Sequence, residues 1–294
     1  MKLWDCFATA LHALSSNKLR SILTMLGILI GVAAVISVIS LGRAQQVQQR
    51  EAFASLGSNL IYVMPGAPSA GGMGGTMGTA VTLTMEDAEA IARNAPSVAA
   101  VAPVVQTTAH IVAGGENMGT MVAGVTPEYQ WVNNLTLAQG SFISEQNYKG
   151  RSRVVVLGHQ IAEILFGSMD PVGQTVRVDG RQFKVSGVLE SKGSTFGVED
   201  LVVLAPLSTV QSTLVSQQVS SIGHSVSAIS IQSKSSDAIN SAREEITNIL
   251  RQRHHLREGE DDDFTVISME AISGIAEQVL GIVQIILGAI AGIS

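Results

Sequence analysis

Cysteine is almost missing from this chain: Cys6 is the only one, so no intrachain disulfide can staple a domain and stability has to come from packing. Basic residues are scarce too, with 18 Lys and Arg against 24 Asp and Glu and a formal net charge of −6. A nucleic-acid partner would demand a basic face to neutralise phosphates, and this balance speaks against one. No phosphate-loop motif is present, and the Gly-rich stretch 65–79 has neither the required lysine nor a dinucleotide fingerprint, so the chain does not hydrolyse ATP by itself. Ser, His and Asp all occur, but no G-x-S-x-G elbow presents a nucleophile, which leaves no argument for hydrolytic chemistry.

Charge is also absent from residues 22–41, and here the absence is informative. Twenty uncharged residues rise about 30 Å as a helix, enough to cross a hydrocarbon core. The run is longer than the apolar region of a signal peptide and no small-x-small site closes it, so it reads as a first transmembrane helix. Lys2, Lys18 and Arg20 precede it, whereas Arg43 and Arg50 beyond it open a long, slightly acidic region. The positive-inside rule then places the N-terminus in the cytoplasm and residues of about 43–272 outside it. Leu3, Trp4, Phe7, Ala10, Leu11 and Leu14 share one face of an interfacial helix, with Trp4, Lys18, Arg20 and Arg43 as interface anchors. A second apolar run starts near Val279 and is still apolar at Ser294, so the natural protein is expected to continue beyond it. Gly27 with Gly31, and Gly288 with Gly292, have the small-xxx-small spacing that lets membrane helices approach closely.

Between the two runs the pattern is mixed α and β. Residues 58–64 read as a strand. Thr84 caps a helix over MEDAEAIARNAP, with Glu86 and Asp87 in its first turn, and residues 98–105 and 107–112 follow as strands. The same order recurs at 226–268, where a strand precedes a helix capped by Ser236, with Ile239, Ala242, Ile246, Ile249 and Leu250 in one apolar stripe, and residues 264–268 close the unit. Two such units are expected to pack side by side. The middle is β-rich: a buried strand at 154–157, a short helix at 159–166 stopped by Gly167, a strand at 201–204, and a hairpin over 174–188 turning at Asp179-Gly180. His254 and His255 with Glu258, Glu260 and Asp261 to Asp263 read as a solvated loop in preference to a metal cluster, since adjacent histidines point apart. Met64, Met73, Met77, Met118 and Met121 show no spacing logic for a copper site and read as filling.

The stretch NKLRSILTMLGILIGVAAVI at 17–36 resembles the opening of MacB-like ABC transporter permeases, also grouped as the FtsX-like family. Further matches follow in order: LGSNLIYVMPG at 56–66, LTMEDAEAI at 83–91, VVVLG and LFGSMDPVGQTVRVDGRQFKVSGVL within 154–189, and DDFTVIS at 262–268. The resemblance implies an α+β membrane protein whose transmembrane helices flank an extracytoplasmic domain with two βαβ-like porter units and an inserted β-rich lobe. The expected division is 1–18 interfacial helix, 19–42 first transmembrane helix, 43–126 stalk and first porter unit, 127–223 distal lobe, 224–270 second porter unit, and 271–294 stalk and truncated second transmembrane helix. It further implies the permease subunit of an ABC-type export or mechanotransmission system in the inner membrane. A cytoplasmic ABC ATPase on a separate subunit and a second permease copy are the implied partners, with a periplasmic adaptor protein as an optional third. No cofactor, metal or catalytic residue is implied in this chain. A non-transporting signal transmitter of the same family and an unrelated two-span sensory receptor are the alternatives.

Overall fold

The computed structural model of the protein describes residues 18–19, 21–27, 29–33, 36–37, 40, 42, 44, 59–66, 82–191, 199–215, 219–220, 223–271, 274, 278–279, 281–283 and 286. The chain divides into two units, Met1–Arg50 with Ser273–Ser294, and Glu51–Ile272. In the first unit every described position is helical. Its large apolar side chains, among them Leu19, Ile22, Leu29, Ile30, Val279, Ile282 and Ile286, are exposed. Among the described residues, no helix is long and apolar enough to cross a membrane.

The second unit begins with β1 (Leu60–Pro65), α1 (Met85–Asn94) and β2 (Val98–Ala113), then β3 (Glu116–Val125), α2 (Tyr129–Val132), β4 (Leu137–Gly140) and α3 (Glu145–Lys149). Next come β5 (Val154–Leu157), α4 (His159–Phe166), β6 (Thr175–Val178), β7 (Arg181–Leu189), β8 (Val202–Pro206) and α5 (Leu207–Thr213). The two-residue strands β9 (Val219–Ser220) and β10 (Gly223–His224) pair with each other, and β11 (Ala228–Ser233), α6 (Ile239–Arg253) and β12 (Phe264–Ser268) complete the unit.

The two strand-helix-strand units do not sit side by side. They interleave in the order β12-β1-β11-β2 with every pair antiparallel, so each unit is split by a strand of the other, as in ferredoxin-like folds. Ile61 and Val63 of β1, Ile91 of α1, and Ile239, Ala242, Ile246 and Leu250 of α6 are buried in one cluster. The apolar stripe expected on α6 is therefore the face it presents to the core. A 3₁₀ turn at Ser236–Ala238 precedes α6, which starts at Ile239 with no side-chain cap, so Ser236 is not the α-helical cap that its hydroxyl suggests.

The β-rich part starts earlier in the chain than residue 127. Strand β2 is 16 residues long; its ladder with β11 ends at Val104, where its ladder with β3 begins. From β3 the pairing passes to β8, β5 and β7, and β6 bridges β7 back to β2, closing this part of the sheet into a barrel. Val105, Ala109, Ile111, Ala113, Val122, Val155, Val176, Val178, Phe183, Val185 and Val203 are buried in the same cluster as the split unit. Residues 105–125 thus belong structurally with the β-rich segment that follows them.

Two hairpins set the register of the barrel. Asp179 (φ 45°) and Gly180 (φ 78°) form the expected two-residue turn between Val178 and Arg181. The turn docks on β2: the His110 amide donates to Asp179 Oδ1 and the Asp179 amide to the His110 carbonyl, both at 2.9 Å. Gly114 (φ 61°) and Gly115 (φ 97°) make the matching turn between β2 and β3. Gly124 has a different purpose, since a Cβ there would come within 2.8 Å of the Val210 Cβ on α5.

Candidate functional site

The chain reaches β1 from the first unit and returns to it through β12, and these two strands are paired neighbours with Ile61 opposite Ser268. Entry and exit therefore lie side by side on one edge of the sheet. Strand β12 has no linker after it: helical residues begin at Met269, and the Ser268 hydroxyl accepts from the Ala271 amide at 3.2 Å as an N-cap. Met269 is buried with Leu60, Ala102 and Val132, with Tyr62 and Tyr129 packed around them, so α2 clamps the joint from the sheet face opposite α1 and α6. The Tyr62 hydroxyl donates to Asn133 Oδ1 at 3.1 Å beside it.

At the other end of β12 lies a buried charged node. Thr84 and Asp87 form a capping box at the start of α1, with Thr84 Oγ1 2.7 Å and the Thr84 amide 2.9 Å from Asp87 Oδ2. The second carboxylate oxygen accepts from Arg253 Nε at 2.6 Å. His254, at the end of α6, places Nε2 3.4 Å from Asp87 Oδ2 and Nδ1 2.7 Å from Asp263 Oδ1. Its ring stands edge-on to Phe264. The Asp263 carbonyl accepts from the Gly66 amide and from Thr82 Oγ1. One residue thus gathers the end of β1, the approach to α1 and the root of β12.

Burial alone would raise the Asp87 carboxyl, but the bonds from His254, Thr84 and Arg253 outweigh it and hold the group well below the usual carboxylate range. Asp87 raises the imidazole of His254 above its ordinary value, against burial and with help from Asp263. The Asp87 side chain is 2% exposed and that of Asp263 37%.

The acidic run after His254 is only partly a solvated loop. Glu258 and Asp261 are exposed, whereas Asp262 pairs with Arg251 and Asp263 with His254. Both ring nitrogens of His254 are committed to carboxylates, and His255, at φ 55°, is exposed. Among the described residues, no three or more His, Cys, Asp or Glu side chains are arranged so that they could hold a metal ion. Of the residues singled out from the sequence, Lys18, Gly27 and Gly31 lie in the helical first unit, and a Cβ built at either glycine would meet nothing within 4 Å. Trp4, Arg20, Arg43, Gly288 and Gly292 lie outside the described residues, as do Met73 and Met77.

A family model, the MacB-like periplasmic core domain, matches residues 21–249. The chain belongs to this family. Among its MacB-like relatives, the "Macrolide export ATP-binding/permease protein MacB" of Syntrophobacter fumaroxidans is 31% identical over 311 residues, covering 89% of this chain and 44% of the relative. The protein of the same name from Chlorobium luteolum is 33% identical, over 96% of this chain and 42% of its own length. The chain thus spans less than half the length of these relatives. The crystal structure of the periplasmic region of MacB from Actinobacillus actinomycetemcomitans superposes with a TM-score of 0.62 at 21% identity, over 76% of this chain and 95% of that one. The extracellular domain of the noncanonic ABC-type transporter YknZ from Gram-positive bacteria gives a TM-score of 0.55 at 19% identity, over 71% and 100%. The α+β fold of a MacB-like periplasmic core domain is therefore shared by this chain.

Proposed function

We propose that this chain is the permease part of an ABC-type export or mechanotransmission system, in which ATP hydrolysis on a cytoplasmic partner moves an extracytoplasmic domain. The observation that carries the reading is the joint at Ser268 and Met269: β12 passes into a helix without a linker, next to the strand by which the chain enters. A capped, packed joint transmits displacement where a Gly-rich linker would absorb it. The exposed apolar side chains of the first unit suit a lipid environment, as expected of transmembrane helices on either side of residues 43–272. Gly27 and Gly31, open in a single chain, fit close approach by the helix of a second copy. With no nucleotide motif here, hydrolysis falls to the ABC ATPase, and the names of the relatives make a macrolide the first substrate to try.

The test is to co-reconstitute the full-length gene product with its ATPase in proteoliposomes and to follow ATP hydrolysis and macrolide transport together. The reading expects the permease to raise hydrolysis and transport to depend on it. A hydrolysis rate indifferent to the permease would overturn the assignment; coupled hydrolysis without transport of any lipophilic cargo would replace export by mechanotransmission.

A further inference from the structure

We infer that His254 is a pH-gated strap: as an imidazolium it ties Asp87 of α1 to Asp263 at the root of β12, and loss of its proton releases that root. Both ring nitrogens face carboxylate oxygens, Nδ1 at 2.7 Å from Asp263 and Nε2 at 3.4 Å from Asp87. Ionised carboxylates only accept, and a neutral imidazole has a single N–H. In the neutral form one nitrogen would therefore turn a lone pair on a carboxylate. Only the doubly protonated ring serves both ends.

Asp87 comes from α1, Asp263 from the segment before β12, and Arg253 and His254 from α6; Asp262 is taken up by Arg251. Two carboxylates meet two cations when His254 is protonated. Deprotonation leaves an uncompensated negative charge beside an Asp87 side chain that is 2% exposed, an expensive state. The ring cannot easily turn to water, because its own side chain is 9% exposed and stands against Phe264.

A histidine whose proton is held more tightly in the folded chain contributes stability that is complete below the ordinary pKa of about 6.5 and is lost as pH rises through the raised value. Asp87 behaves oppositely: its contribution is present above the ordinary carboxylate pKa and disappears only as pH falls through its depressed value. The strap is therefore closed in mild acid and opens on the alkaline side. Because Asp263 also anchors Gly66 and Thr82, opening loosens the start of β12, whatever cargo or signal the domain handles.

Thermal unfolding of the full chain in detergent between pH 5.5 and 9 tests this, with hydrogen exchange of residues 264–268 referenced to 228–233 and corrected for the intrinsic rate. The wild type should lose about 3–5 °C per pH unit across the histidine window, with exchange rising at 264–268 alone. Asp263→Asn supplies an amide that can donate to the second ring nitrogen, so its alkaline loss should shrink by at least half. His254→Gln should melt lower at pH 6 and show a flat profile. An Asp263→Asn protein that keeps the full alkaline loss, or a wild type whose 264–268 exchange does not respond to pH, would overturn the strap; should His254→Gln fail to fold, Asp263→Asn alone decides.

Discussion

A disulfide across β1 and β12 would test whether entry and exit strands move as one body. The Gly66 amide bonds to the Asp263 carbonyl, so 66 and 263 are a hydrogen-bonded pair and, by the alternation of an antiparallel ladder, so are Met64 and Thr265. Their Cα atoms should be about 5.5 Å apart, within the range that a disulfide accepts. With Cys6→Ser as background, Met64→Cys and Thr265→Cys supply a single possible pair. The bridge would close a loop of roughly 200 residues, and chain-entropy arithmetic sets an upper limit of about 5 kcal/mol on its stabilisation. Losing the Thr265 hydroxyl bond to the Gly66 carbonyl takes back about 1 kcal/mol. The oxidised protein should then melt roughly 10 °C above the reduced one. If the proposed coupling to an ABC ATPase holds, ATP hydrolysis in proteoliposomes should run within about twofold of the reduced rate, a change of only ~0.4 kcal/mol in barrier height. A bridged protein that stays folded but stops cycling would mean that β1 and β12 must part during work, and the rigid joint would be the wrong picture.

Gly140→Ala should be among the costliest small substitutions: φ is 79°, and the new Cβ would collide with the Ser186 carbonyl and lie 2.7 Å from Gly187 Cα. We expect a loss of about 2–4 kcal/mol, read as a lower urea midpoint, with early exchange of 137–140. Ser268→Ala should cost about 1 kcal/mol and speed exchange of the Ala271 amide, whereas Ser268→Asp, also a good cap, should restore both.

Local signals in the sequence translated well, because each is decided within a few residues. Thr84 caps α1 and pairs with Asp87 three positions on; Asp179-Gly180 turns the hairpin; α6 buries the stripe its 3.6-residue period announces; β12 occupies residues 264–268 as expected. Long-range pairing was not legible. Nothing in β6 says that Val178 will lie opposite Ile111, yet that contact closes the barrel. Strand β3 escaped notice because Asn117, Gly119 and Gly124 weaken its β pattern, although the Gly-Gly turn before it was a usable signal. The charged node was hidden for the same reason. His254 and Asp87 are 167 positions apart, so Asp87 read only as a favourable charge in a first helical turn and Asp263 as one more acid in a loop.

The topology also bears on how a displacement at the joint could reach the barrel. Strand β12 is the sheet edge, bonded to β1, which bonds to β11, which bonds to β2. Strand β2 then runs on without a break into the barrel wall, where β3 and β6 flank it. An uninterrupted path of backbone hydrogen bonds therefore leads from β12 to the barrel, with no loop in series that could take up a displacement. Both parts share one buried cluster, and a close-packed interior resists gradual deformation, so a force at β12 is more readily met by displacement of the whole sheet than by bending within it. Within this sheet the root of β12 is a place that can yield, since its side-chain tie runs through His254 and depends on the charge of that one ring.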